Sequence, residues 1–141
     1  MAYDGTIPAL GNLISNDIPA IQENFSLLES AQVVDEGTTA DGDYIRYENG
    51  WQICKIKDLQ TGSMDVIDSS GVSRTRSSHW SFPQPFISKP ACSASGAKSN
   101  SFFATAHSLS PTFADVRMRD ANGRQDGSTY LIELLAIGRW K

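Results

Sequence analysis

Long apolar runs, clustered basic charge and closely spaced metal ligands are all missing from this sequence, and each absence removes a class of function. No stretch approaches the ~20 apolar residues of a membrane span, so membrane insertion is not expected. The 12 Lys and Arg are outnumbered by 16 Asp and Glu, for a formal net charge of -4, and the basic residues form no run. Counterion release therefore gives no drive towards nucleic acid, and anionic lipid is no more attractive a partner. The opening MAYDGTIPALGN has neither a basic start nor an apolar core, so no secretory leader is expected. Cysteine is equally scarce. Cys54 and Cys92 stand far apart in alternating apolar stretches without a CxxC, the pattern of reduced core thiols; a disulfide has no positive support.

Catalytic patterns are missing too. His79 and His107 occur without a GxSxG or similar context, and with only two His and two Cys there is no close pair to seed a zinc site. The carboxylates Asp35, Glu36, Asp41, Asp43, Asp115 and Asp126 lie mostly in turn-like stretches, and no spacing marks an acid and a base among them. No Gly-rich phosphate loop is present. The chain is expected to be non-enzymatic, with no catalytic residue, no metal and no cofactor.

What the sequence does contain is the texture of a small β protein: Ser, Thr and Gly in abundance, with short apolar runs punctuated by Pro and Asn-Gly. Tyr44 to Tyr47 and Trp51 to Ile56 flank Asn49-Gly50, which predicts a two-residue type I′ hairpin. Met64 to Ile67 is a candidate short strand within a connector. Trp80 and Phe82 alternate on another strand that Pro83 and Pro85 end, and Cys92, Ala94 and Gly96 alternate after Pro90. Two more strands are expected over SFFATAHSL and PTFADVRMRDA, the second with an irregularity at Ala114-Asp115 and with Arg117 and Arg119 facing outward. Residues 129–138 form an almost continuous apolar run broken by Glu133, which predicts a central strand covered on both faces.

The first 32 residues differ from the rest. Asn16 or Asp17 can cap a helix, Pro19 suits its first turn, and Ile18, Ile21, Phe25 and Leu28 recur at steps of 3 and 4. So short a helix, at ~12–15 residues, needs a partner for its stripe. That partner is either the protein's own β domain or further copies of the chain.

Polar and planar side chains gather on three expected loops: Lys98, Ser99 and Asn100; His107 and Ser108; and Asn122, Arg124, Gln125 and Asp126. Saccharides are bound through several directional hydrogen bonds from such groups. His107, Asn122, Arg124, Gln125 and Asp126 are accordingly the candidate glycan-binding residues.

Trp80-Ser-Phe-Pro-Gln-Pro-Phe-Ile-Ser-Lys-Pro90, together with Leu134-Leu-Ala-Ile-Gly-Arg-Trp140, resembles the pattern of phage tail-fibre C-terminal domains, which are similar to the H-type lectins. The hairpin DGDYIRYENGWQICK also resembles one found upstream in phage fibres, so the resemblance covers about residues 42–141. It implies a mainly β chain, with an antiparallel, H-type-lectin-like sandwich expected over 71–141 behind a hairpin connector over 35–70; residues 1–34, which the resemblance does not reach, are expected to be an attachment and trimerisation segment with the short helix. It further implies a parallel homotrimer, with Trp140 joining Ile18, Ile21, Phe25 and Leu28 as interface candidates. The partners expected are a bacterial surface glycan and, if the C-terminal domain points outward, other virion proteins through the N-terminal segment. The implied place is a virion assembled in the host cytoplasm. Leu135 stands where an aromatic often precedes Ala-Ile-Gly, and the loops do not match the lectin sugar ligands one by one, so the glycan follows from the fold alone. A head fibre or capsid decoration protein is the alternative, and a polysaccharide depolymerase a more distant one.

Overall fold

The computed structural model describes residues 32–96 and 102–141. The stripe of Ile18, Ile21, Phe25 and Leu28 lies outside the described residues, as do Lys98, Ser99 and Asn100. The described residues form ten strands: β1 (Val33–Thr39), β2 (Gly42–Tyr47), β3 (Trp51–Gln60), β4 (Met64–Ile67), β5 (Ser73–Thr75), β6 (Ser78–Ser81), β7 (Ala91–Ser95), β8 (Phe102–Leu109), β9 (Phe113–Asp120) and β10 (Leu131–Arg139). All pairings are antiparallel.

One sheet has the order β1-β2-β3-β10-β7 and the other β4-β5-β9-β6, with β8 also on β9. Because β8 lines up with the whole of β9, β5 and β6 must share the opposite edge, one at Arg119 and Asp120 and the other from Phe113 to Val116. The chain changes sheet after β3, β6, β7 and β9, and the alternate residues of both sheets meet in one core. Cys54, Ile132, Leu134 and Ala136 come from the first sheet; Met64, Trp80, Ala114, Val116, Met118 and Phe102 come from the second. Cys54 and Cys92 are free thiols that flank Ala136 from β3 and β7, two strands apart, which is too far for a disulfide.

Aromatic packing joins the sheets. Trp80, fully buried, donates its indole N–H to Asp41 O at 2.7 Å, tying β6 to the β1–β2 turn. Phe82 meets Trp80 edge-on at 4.9 Å between centroids and Phe86 at 5.1 Å. The edge-on geometry is worth ~0.5–1.5 kcal/mol, but losing such a ring from a core costs ~3–5 kcal/mol, so burial dominates. Phe86 and Pro90 then lie against Gly138, where a Cβ would come within 2.9 Å of Phe86 Cδ1 and 3.0 Å of Pro90 Cβ. Ile87 N–H donates to Arg139 O at 2.9 Å beside this contact. The proline-rich element and the C-terminal strand thus form one packing unit.

Four expectations need correction. The Asn49-Gly50 turn is not type I′, because only Gly50 has positive φ, at 86°; Gly50 N–H donates to Tyr47 O at 2.9 Å, closing a longer loop that needs a single left-handed residue. The irregularity expected at Ala114-Asp115 sits on the opposite strand: β9 alternates regularly and buries Ala114, while the register of β8 shifts between Ala106 and Ser108 so that His107 is the extra residue. The segment 35–70 is not a separate connector, since it supplies three strands of one sheet and β4 of the other. Finally, β10 is central but, among the described residues, covered on one face only: Leu131, Leu135 and Ile137 are 59%, 39% and 38% exposed. Its outward apolar residues have no counterpart within the described chain.

A methyl group at Gly138 cannot be accommodated without moving Phe86 and Pro90. Gly138→Ala is expected to cost about 1–3 kcal/mol, read as a lower urea midpoint with an unchanged slope.

Candidate functional site

The loop between β9 and β10 carries four of the five candidate glycan ligands, and its polar groups are largely engaged with the protein itself. Asn122 and Ser128 N–H groups donate to Asp120 Oδ1 and Asp126 Oδ1, at 3.0 and 2.9 Å. Gly123 and Gly127, both at φ 69°, make the turns these caps require. Tyr130 O–H donates to the Asp126 carboxylate at 3.0 Å, and burial is the main cause that raises the Tyr130 pKa. Gln125 reaches Asp65 O at 3.3 Å, and Arg124 lies over the Phe102 ring at 5.5 Å while its Nε is 3.8 Å from buried Asp120 Oδ2. Met64 N–H to Ser128 O and Gly127 N–H to Met64 O dock the loop beside β4.

His107 lies elsewhere, on the outer face of the second sheet. Strand pairing arranges that face in rows. Arg74, Arg119 and Phe103 stand side by side on β5, β9 and β8; Arg117 and Thr105 form the next row; His79 and Asp115 the one after. The bulge lets His107 reach across, so that its Nε2 is 2.8 Å from Ser77 Oγ, which also accepts the Arg117 Nε–H at 3.1 Å. Burial first, and then the positive charge of Arg117, lowers the His107 pKa; Asp115 opposes this, while Arg119 and Arg74 add to it. The neutral imidazole can therefore accept the Ser77 hydroxyl proton. Burial also lowers the Arg117 pKa, reinforced by Arg74 and Arg119.

His79 Nδ1 and Asp115 Oδ1 are 2.8 Å apart, and the imidazole stacks on Phe113 at 4.7 Å. Neither histidine pair forms an arrangement for nucleophilic catalysis on the pattern of serine hydrolases. The further partner of the Ser77–His107 pair is the Arg117 guanidinium, which donates to Ser77, whereas the triad pattern needs a carboxylate accepting from the other ring nitrogen of the histidine. Among the described residues no group of three or more His, Cys, Asp or Glu is placed to hold a metal.

Trp140 is half-buried against its own chain. Its Nε1–H donates to Tyr47 O at 3.0 Å and Arg46 covers the ring at 4.9 Å. The large apolar surface lies instead on the outer face of the first sheet. There Ile45, Ile53, Ile137 and Ala91 form one row, with Trp51 and Leu135 in the rows on either side. A shallow depression of about 330 Å³ beside Leu135 is bordered by Lys55, Lys57, Ser93, Ser95 and Glu133.

Solved structures share this architecture. An N-truncated R1-type pyocin tail fibre superposes with a TM-score of 0.51 at 14% identity, over 85% of this chain and 94% of that one. The fold is shared with a tail fibre. A longer C-terminal portion of the P. aeruginosa R1 pyocin fibre matches over 85% of this chain and 31% of its own length, with a TM-score of 0.52 at 13% identity. At these identities the likeness is one of fold. No protein-family model matches the chain, and no curated protein matches it in sequence.

The basic face was only half visible in the sequence. The outward alternation of Arg117 and Arg119 was apparent, but Arg74 joins them through β5, a three-residue strand too short to show a period.

In an NMR titration, the His107 midpoint is expected below the ordinary value of 6.5, and Arg117→Gln should move it upward. Because the unfolded chain takes up this proton at higher pH than the folded one, the contribution of His107 to stability is present above pH 6.5 and is lost as pH falls through the folded midpoint.

Proposed function

We propose that the protein is a tail-fibre or receptor-binding component of a phage-type particle, assembled in the host cytoplasm, that acts by binding a bacterial surface glycan rather than by catalysis. The observation that carries this reading is the sandwich shared with the pyocin tail fibre over 85% of the chain. The unpartnered apolar face supports the accompanying proposal of a homotrimer. Trp51, Leu131, Leu135 and Ile137 are each more than a third exposed on one sheet face, an arrangement that other copies of the chain would cover. Val33 and Val34, exposed at the start of β1, lead from the N-terminal segment, and the stripe of Ile18, Ile21, Phe25 and Leu28 would continue the same seam. In this reading the N-terminal segment docks on other virion proteins, and the outer strands and loops face the host. Saccharide binding at His107 and at the loop of Asn122, Arg124, Gln125 and Asp126 belongs to the same proposal.

Light scattering of the full chain is expected to give three times the 15.4 kDa chain mass, and Ile137→Asp to give monomers that remain folded by circular dichroism. A folded wild-type monomer would contradict the trimer. Retention on bacterial polysaccharide, without a fall in polymer size on incubation, is the expected binding result. Failure to bind any surface polysaccharide from a host on which the particle grows would contradict the receptor-binding role.

A further inference from the structure

The outer face of the second sheet holds more positive charge than its own carboxylates neutralise. Arg119 pairs with Asp68 at 3.0 Å and Arg76 with Asp65 at 3.0 Å, while Asp115 is held by His79. Arg74 and Arg117 have no carboxylate within ion-pair distance among the described residues. In a protein with a formal net charge of -4, two such arginines on one face are not explained by overall composition.

Their placement is convergent. Arg74 is directly opposite Arg119, and Arg117 is two residues along β9, so Arg74 and Arg117 are diagonal neighbours, roughly 7–8 Å apart at the backbone. Two guanidinium groups so spaced can close on one oxyanion from either side, each offering a planar pair of N–H donors. The Arg117 Nε–H is already fixed by Ser77, which is held in turn by His107, so the terminal nitrogens of Arg117 are oriented in advance. Thr105, in register with Arg117, has a buried Oγ1 with no hydrogen-bond partner. Phe103, 44% exposed in the row of Arg74 and Arg119, offers an apolar ring face beside the charges. Mutual repulsion of the three arginines, added to burial, lowers the Arg117 pKa, and a bound anion would relieve it.

From this geometry we infer that Arg74 and Arg117 form a binding site for an acidic saccharide, gripping its carboxylate or phosphate while Phe103 packs on the sugar ring. The saccharide part of this inference rests on the receptor-binding reading. It moves the main contact from the loop after β9, whose polar groups serve the fold, to the flat face that carries His107. The anionic group supplies affinity through charge-assisted hydrogen bonds, and the ring contact separates a sugar acid from a free ion.

The test is calorimetric titration of the full-length protein with trigalacturonate, mannose 6-phosphate, inorganic phosphate and maltotriose. Binding of trigalacturonate or mannose 6-phosphate is expected, and which of them binds tells carboxylate from phosphate. Maltotriose should not bind. Arg74→Gln and Arg117→Gln should each weaken the acidic probe about tenfold, and Phe103→Ala less, with thermal midpoints close to wild type. The site is overturned if neither acidic probe binds, if maltotriose binds equally, if inorganic phosphate binds as tightly as the sugar acid, or if the folded Arg74→Gln/Arg117→Gln double variant binds unchanged. Retention of the double variant on bacterial polysaccharide supplies the second readout. Wild-type-like retention overturns the site but spares the receptor-binding reading. A wild type that binds the acidic probes through Arg74 and Arg117, yet adheres to no bacterial polysaccharide, sustains the site and removes that reading.

Discussion

The contact of Phe86 and Pro90 with the bare Cα of Gly138 holds the two sheets in one relation, and much else follows from it. Residues 82–90 are the crossover from β6 in one sheet to β7 in the other, and Gly138 lies on β10, the strand between β3 and β7. Seating the crossover there places Phe82 against Trp80 and delivers Gln84 O to the buried Gln52 amide at 2.8 Å. Gln52 Oε1 accepts from Arg46 Nε at 2.6 Å, so a fully buried polar side chain is satisfied from both sides. A second pair of crossovers closes the other end, where Thr61 N–H donates to Tyr130 O and Tyr130 N–H to Thr61 Oγ1. The sandwich is therefore fastened at three of the four points where the chain changes sheet, after β3, β6 and β9.

Once the inner faces are committed to the core, the outer faces are free to differ, and they differ in kind. On the first, Ile45, Trp51, Ile53, Leu135 and Ile137 form an apolar band bordered by Glu36, Asp43, Lys55, Lys57, Glu133 and Arg139. The second carries Arg74, Arg117 and Arg119 with His79, His107 and Phe103, alongside Thr105 and Asp115. An apolar sheet face gains most from covering by protein, whereas a basic face with spare donors gains most from an anion. One sandwich can thus carry assembly on one side and recognition on the other.

Much of the strand pattern was legible because alternation reports burial directly. Phe113 to Asp120 shows it, and Trp80, Phe82 and Cys92 occupy the sides their spacing implies. Pairing was less legible. Three-residue β5 has no period to read, and β1, with polar Asp35, Glu36, Thr38 and Thr39, has no apolar face to mark it. The position of the bulge was misjudged because Ala114 is small enough to look neutral, although it is fully buried. The continuous apolar run in β10 suggested cover on both faces, but sequence cannot say whether a face is covered by the same chain or by another. For the site, His107 lies in a polar cluster with Ser77 and Arg117 that residue type alone does not assemble. Asp126 accepts from Tyr130 within its own loop, and Gln125 reaches Asp65 O on β4, contacts that residue type does not reveal.

In the proposed assembly, copies of the fastened sandwich meet through its apolar face. A structure of the assembled full-length chain tests that most directly. It should place the outer face of β10, with Leu135 and Ile137, against neighbouring copies around a three-fold axis, leaving Arg74 and Arg117 open to solvent. An assembly in which Leu135 and Ile137 face water while the arginine face is buried between copies would contradict it.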